Sequence, residues 1–201
     1  MRNRPVAEAI AFTLAVLLYI WILRFRWPST VWLLVAAVLA SCLQHSETIR
    51  SVGLAPREIR SSLAEWKAGL LLAALATALL GGRRVFTAPM LYRGLLYFLW
   101  CVAQQFVYQA MICRRFRLAF GPSWRAASLS GVLFSLVHLP NPVLAPATLL
   151  WGALSSRLFE RRPSVPVLGL LQFLLSSILL WLTPIAWHRN FRVGASYLHF
   201  R

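Results

Sequence analysis

What most limits the fold of this chain is a rhythm: long apolar runs, each ended by a short basic cluster. The runs cover residues 6–23, 30–43, 66–80, 91–113, 124–139, 142–159 and 165–182. Among the clusters between them are Arg24/Arg26, Arg83/Arg84, Arg114/Arg115/Arg117 and Arg161/Arg162. A helix crosses the hydrocarbon layer with roughly 20 apolar residues. Arginines just beyond such a helix meet anionic headgroups, and tryptophans settle at the same depth. Trp27, Trp66, Trp124, Trp181 and Trp187 all stand near run ends. The pattern predicts an all-α, polytopic transmembrane bundle of about seven helices, six to eight allowing for the short second and third runs.

Composition closes the alternatives. Hydrophobic residues make up 59% and charged residues 13% of 201 positions, more apolar surface than one water-facing core can hide. The net charge of +16 comes from 21 Lys+Arg against 5 Asp+Glu. Because the cations lie between apolar runs and on no soluble face, the expected partner is membrane lipid, with no nucleic acid. Cys42, Cys101 and Cys113 fall in apolar runs without metal-ligand spacing, so neither a disulfide framework, a zinc site nor a cofactor is expected. Residues 6–23 follow Arg2 and Arg4 as a signal peptide would. They lack a small-residue cleavage site, and we read them as a retained span.

The chain reads as a single membrane domain over residues 1–201. Residues 1–52 hold two leading spans and a loop, 53–182 the core, and 183–201 a basic, aromatic tail. That tail either lies on the surface, plugs a cavity mouth or frays. Within residues 44–67, Leu54, Ile59, Leu63 and Trp66 recur at helical spacing, which suits an amphipathic surface helix or an ordinary connector. Counted on alternate sides, Lys and Arg favour a cytoplasmic N-terminus.

Polar groups at bilayer depth are costly and therefore informative. Gln104, Gln105 and Gln109 crowd the middle of the fourth run, and Tyr108 falls one turn after Gln104. Spacing puts Gln105 with Gln109 and Gln104 with Tyr108 on adjoining faces, a stripe that must turn inward. Phe134 and His138 lie one turn apart ahead of Pro140, Asn141 and Pro142. Gln172 and Ser176 repeat that spacing in the seventh run. Three helices thus each supply an inward polar pair, enough for a shared cavity. Amides that only bond one helix to another would leave the same trace.

These residues resemble the motifs of the CPBP intramembrane proteases, the family of CAAX prenyl endopeptidases and bacterial self-immunity proteins. Its first motif, Glu-Glu-x-x-x-Arg, is matched in frame by Gln104-Gln105-Phe-Val-Tyr108-Gln109. Its second, Phe-x-x-x-His, is matched by Phe134 and His138, with Asn141 close behind. Gln172 and Ser176 stand in the frame of its third, His-x-x-x-Asn. The resemblance runs from about residue 53 to 182 and implies a helical membrane endopeptidase in a cell membrane, the bacterial cytoplasmic membrane first. It implies catalytic positions at Gln104, Gln105 and His138, and a substrate cavity at Tyr108, Gln109, Phe134, Asn141, Gln172 and Ser176.

The departures carry chemistry. In the family the first glutamate activates water, and a carboxamide has no basicity for that task. The chain has no Asp, and Glu8, Glu47, Glu58, Glu65 and Glu160 sit at run edges or outside the runs. Gln109 replaces the arginine that would pair with a buried glutamate, a consistent loss, since an unpartnered buried cation is costly. His138 is the lone histidine in the runs, too little for a metal site. The expectation is a CAAX-protease-like protein, impaired in catalysis, that binds a lipidated or membrane-embedded peptide. Two alternatives stay open: an endopeptidase using His138 with Cys101, Cys113 or a serine, and a small carrier or structural subunit of a membrane complex.

Overall fold

A computed structural model describes residues 3–81 and 87–200; Arg2, Arg83, Arg84 and Arg201 of the basic clusters lie outside it. Every apolar run falls on a helix. Helix α1 is Arg4–Arg26, with a π turn at Tyr19–Leu23, and α2 is Val31–Gln44. Helix α3 is Pro56–Gly81; α4 is Ala88–Phe120, with a π turn at Tyr108–Cys113. Then come α5 (Trp124–Leu136), α6 (Leu144–Arg161) and α7 (Val165–Leu182). Two one-turn helices, α8 (Ile185–His188) and α9 (Ala195–Leu198), shape the tail.

Of these, α1, α3, α4 and α7 are long and apolar enough to cross a membrane. Helices α2 and α5 are shorter, and α6 carries Arg157, Glu160 and Arg161 in its last turns. The outer surface agrees with a lipid solvent: Leu43 is 80%, Leu79 72% and Leu71 70% exposed, a burden no water-facing bundle carries. This is a membrane protein. The amphipathic stretch in residues 44–67 is no separate surface helix. Its second half opens α3, and its first half is a turn-rich link pinned where Val165 N donates to Gly53 O at 2.9 Å.

Local signals set the ends. Pro89 and Pro166 occupy first-turn positions of α4 and α7, where a missing N–H costs nothing. Ser123 caps α5 by accepting from Ala126 N.

Small residues let the site helices approach. A Cβ on Gly152 of α6 would lie 2.9 Å from Gly131 Cα of α5 and 3.0 Å from the Tyr108 hydroxyl. One on Gly169 of α7 would lie 2.8 Å from Val102 Cα of α4. Such close crossings are the ordinary means of association in lipid, where apolar burial gives little drive. Phe173 meets Tyr97 and Phe98, while Val165 and Leu168 cluster with Val102 and Phe106, so α4 and α7 run antiparallel.

Candidate functional site

The π turn after Val107 buries every side chain from Tyr108 to Cys113, and the three glutamines of α4 stand at its start. A π turn adds a residue to one helical turn and re-aims what precedes it, a device common at functional sites. Across the Gly169 crossing lies Gln172, and the amides join in series. Gln109 Nε2 donates to Gln105 Oε1 at 3.2 Å, and Gln105 Nε2 to Gln172 Oε1 at 2.6 Å. Gln172 Nε2 donates in turn to Gln104 Oε1 at 2.7 Å. Trp151 Nε1 of α6 gives a further bond to Gln172 Oε1 at 3.1 Å. The network ties α4, α6 and α7 together, and Gln172 is its hub.

His138 sits just past the end of α5. Its Nδ1 lies 2.7 Å from Phe134 O; a carbonyl only accepts, so Nδ1 carries the proton and Nε2 is left as the acceptor. Phe134 meets the imidazole edge-on at 4.9 Å and lies tilted against Tyr108 at 4.5 Å. The Tyr108 hydroxyl approaches Cys113 and Ser130 in a pocket sealed from the surface.

A cavity of about 570 Å³ opens on this network. Gln104, His138, Gln172 and Ser176 line it, with Tyr97, Thr148 and Trp151 beside them. Gln105 and Gln109 stand behind its wall, fully buried, and Tyr108 and Phe134 support His138 from below. Asn141 is off the cavity as well. Its Oδ1 accepts from Val143 N and Leu144 N at 3.0 Å each, capping α6, and its Nδ2 donates to His188 O and Arg192 O in the tail. Neither Cys101 nor Cys113 lines the cavity.

The carboxylates are elsewhere, and each is engaged. Glu8 pairs with Arg115 at 3.1 Å and Glu47 with Arg114 at 3.0 Å, the buried Arg115 guanidinium also bonding Ser41. Glu58 pairs with Arg50 at 3.1 Å, Glu65 with Arg162 at 2.7 Å, and Glu160 with Arg157. Burial still pushes the Glu160 carboxyl up, against the pull of Arg157 and Arg117. Because α1 and α4 are antiparallel, these pairs gather at the end of the bundle that holds the N-terminus; the cavity lies toward the other end, where Arg24 and the tail residues 190–193 line it. Among the described residues no group of three His, Cys, Asp or Glu side chains could hold a metal ion.

Trp151 and Thr148 are site residues that the motif frames alone do not disclose. A tryptophan one position before Gly152, the close-approach residue of α6, is the signal that points to the first.

The model of a protein family, described as type II CAAX prenyl endopeptidase Rce1-like, matches residues 85–178. That segment holds the whole amide network and His138, and leaves out α1–α3 and the tail. Comparison with curated proteins and with solved structures gave no match.

Proposed function

We propose that this chain, whose residues 85–178 match the Rce1-like family model, is a CAAX-endopeptidase-like membrane protein whose hydrolysis is lost. Its cavity binds a lipidated or membrane-embedded peptide without cutting it. One observation carries this reading. The positions of the family's paired glutamates are held by Gln104 and Gln105, whose amides are bonded to Gln172, while all five glutamates are ion-paired away from His138.

The chemistry follows from basicity. His138 Nε2 has an acceptor lone pair, but an imidazole beside neutral amides lacks a carboxylate partner to orient and charge-balance a water attack. A thiol route fares worse, since both cysteines of α4 lie outside the cavity lining. Binding survives this loss: a largely apolar slot, His138 Nε2 and the Ser176 hydroxyl suit an apolar chain with a few polar groups near one end.

Purified protein in detergent is expected to bind a prenylated peptide and to leave it intact over hours. Cleavage that vanishes in His138→Ala would overturn the loss of hydrolysis.

A further inference from the structure

The cavity has two unlike ends. Helix α6 packs on α5, and α7 on α3 and α4, so a slot is left between α6 and α7. Leu150, Leu154 and Leu175 line it and are themselves exposed to the lipid side. This is a lateral opening for an apolar chain.

The opposite end is closed by the tail, and there every formal charge is positive. Asn141 Nδ2 grips His188 O at 2.8 Å and Arg192 O at 3.0 Å, and Gly194 N donates to Leu139 O at 2.8 Å. Gly194 holds φ +58°, and a Cβ there would lie 2.8 Å from Ile20 O, so only glycine lets the tail dock on α1. Docked this way, the tail brings Arg192 and Ser196 to the cavity, where they meet Arg24 from α1. Arg24 donates to Ser196 Oγ at 3.4 Å, and Arg192 lies over the Phe200 ring at 4.9 Å. Neither arginine pairs with a carboxylate among the described residues. No acidic residue lines the cavity, and none follows Glu160 in the sequence.

We propose that this cavity is the seat of an anionic membrane lipid, its phosphate at Arg24 and Arg192 and one chain in the slot between α6 and α7. The inference rests on the reading that the cavity draws its ligand from the bilayer. The lipid is the resident occupant that a peptide displaces. Guanidinium groups suit phosphate oxygens by geometry as well as charge. The middle of the cavity favours a lipid over a bare peptide as resident, because the Gln104 carbonyl and the whole Gln172 amide are spent within the network.

The test is native mass spectrometry on the full chain in detergent, titrated with phosphatidylglycerol or phosphatidylcholine of matched chains. Each arginine should contribute roughly fivefold to the preference for the anionic lipid. Arg24→Gln/Arg192→Gln should bring the two lipids near parity. Arg57→Gln/Arg60→Gln, which removes equal charge from the exposed start of α3, should keep the preference. Circular dichroism confirms the helix content of both variants. Equal loss in both, or no preference in the unaltered protein, overturns the inference. So does a preference carried by a prenylated peptide's free carboxylate over its amide with none for the lipid. If lipid selectivity fails while peptide binding holds, the preceding function stands alone; peptide binding that fails while lipid selectivity holds refutes that function instead.

Discussion

Replacing Gln172 with leucine removes the hub of the amide network and gives the sharpest measure of what that network does. Three bonds disappear: from Gln105 at 2.6 Å, from Trp151 at 3.1 Å, and to Gln104 at 2.7 Å. The losses are unequal. Gln105 is fully buried, so its Nε2 is left without a partner or water, whereas Gln104 borders the cavity and finds water. A buried donor left unmet costs about 1–3 kcal/mol, and bonds between membrane helices average about 0.6 kcal/mol. Together these give about 2–4 kcal/mol for Gln172→Leu and only about 0.5–1 kcal/mol for Gln104→Leu. Since Gln104 reaches the network through Gln172, the double variant should cost about as much as Gln172→Leu alone. Reversible unfolding in mixed detergent and dodecyl sulfate micelles, followed by circular dichroism, supplies the free energies. Equal costs for the two single variants, or strict additivity in the double, would refute the hub.

Two further outcomes follow from neighbouring contacts. Gln105→Glu puts a carboxyl where only the Gln109 and Gln172 amides are bonded among the described residues, and should cost about 2–3 kcal/mol above pH 8. Gln109→Arg, one bond away at 3.2 Å, should restore at least about 1 kcal/mol of it, and a cycle showing no coupling would count against their pairing. Gly152→Ala should cost about 1–3 kcal/mol through its contacts with Gly131 and Tyr108. Gly94→Ala, with nothing within 4 Å, should be neutral to slightly stabilising in the same unfolding assay.

The helices were legible because lipid-facing segments must be apolar along their length and their cations must gather at the ends. The inward turn of Gln105 and Gln109 followed from the cost of an amide in hydrocarbon. Which group each amide would meet was not legible, because the partner is chosen by a helix crossing, and the Gly169–Val102 contact leaves only a glycine as its trace. The motif frame puts Asn141 beside His138 in sequence, yet its side chain turns away to cap α6 and hold the tail. An asparagine following a helix end serves capping and a cavity equally well, so spacing could not decide. The full burial of Arg115 was hidden too: a cation beside Arg114 reads as a lipid anchor until Glu8, far away in sequence, is brought to it.

That last pair has a consequence for how the chain is made. Glu8 enters the membrane more than a hundred positions before its arginine is synthesised. Until α4 is in place, the first helix carries a carboxylate whose partners are water, lipid headgroups or His45. Its final depth and rotation are therefore settled late, by a helix from the middle of the chain. The span of Glu8 thus leaves the ribosome well before the helix that supplies its arginine.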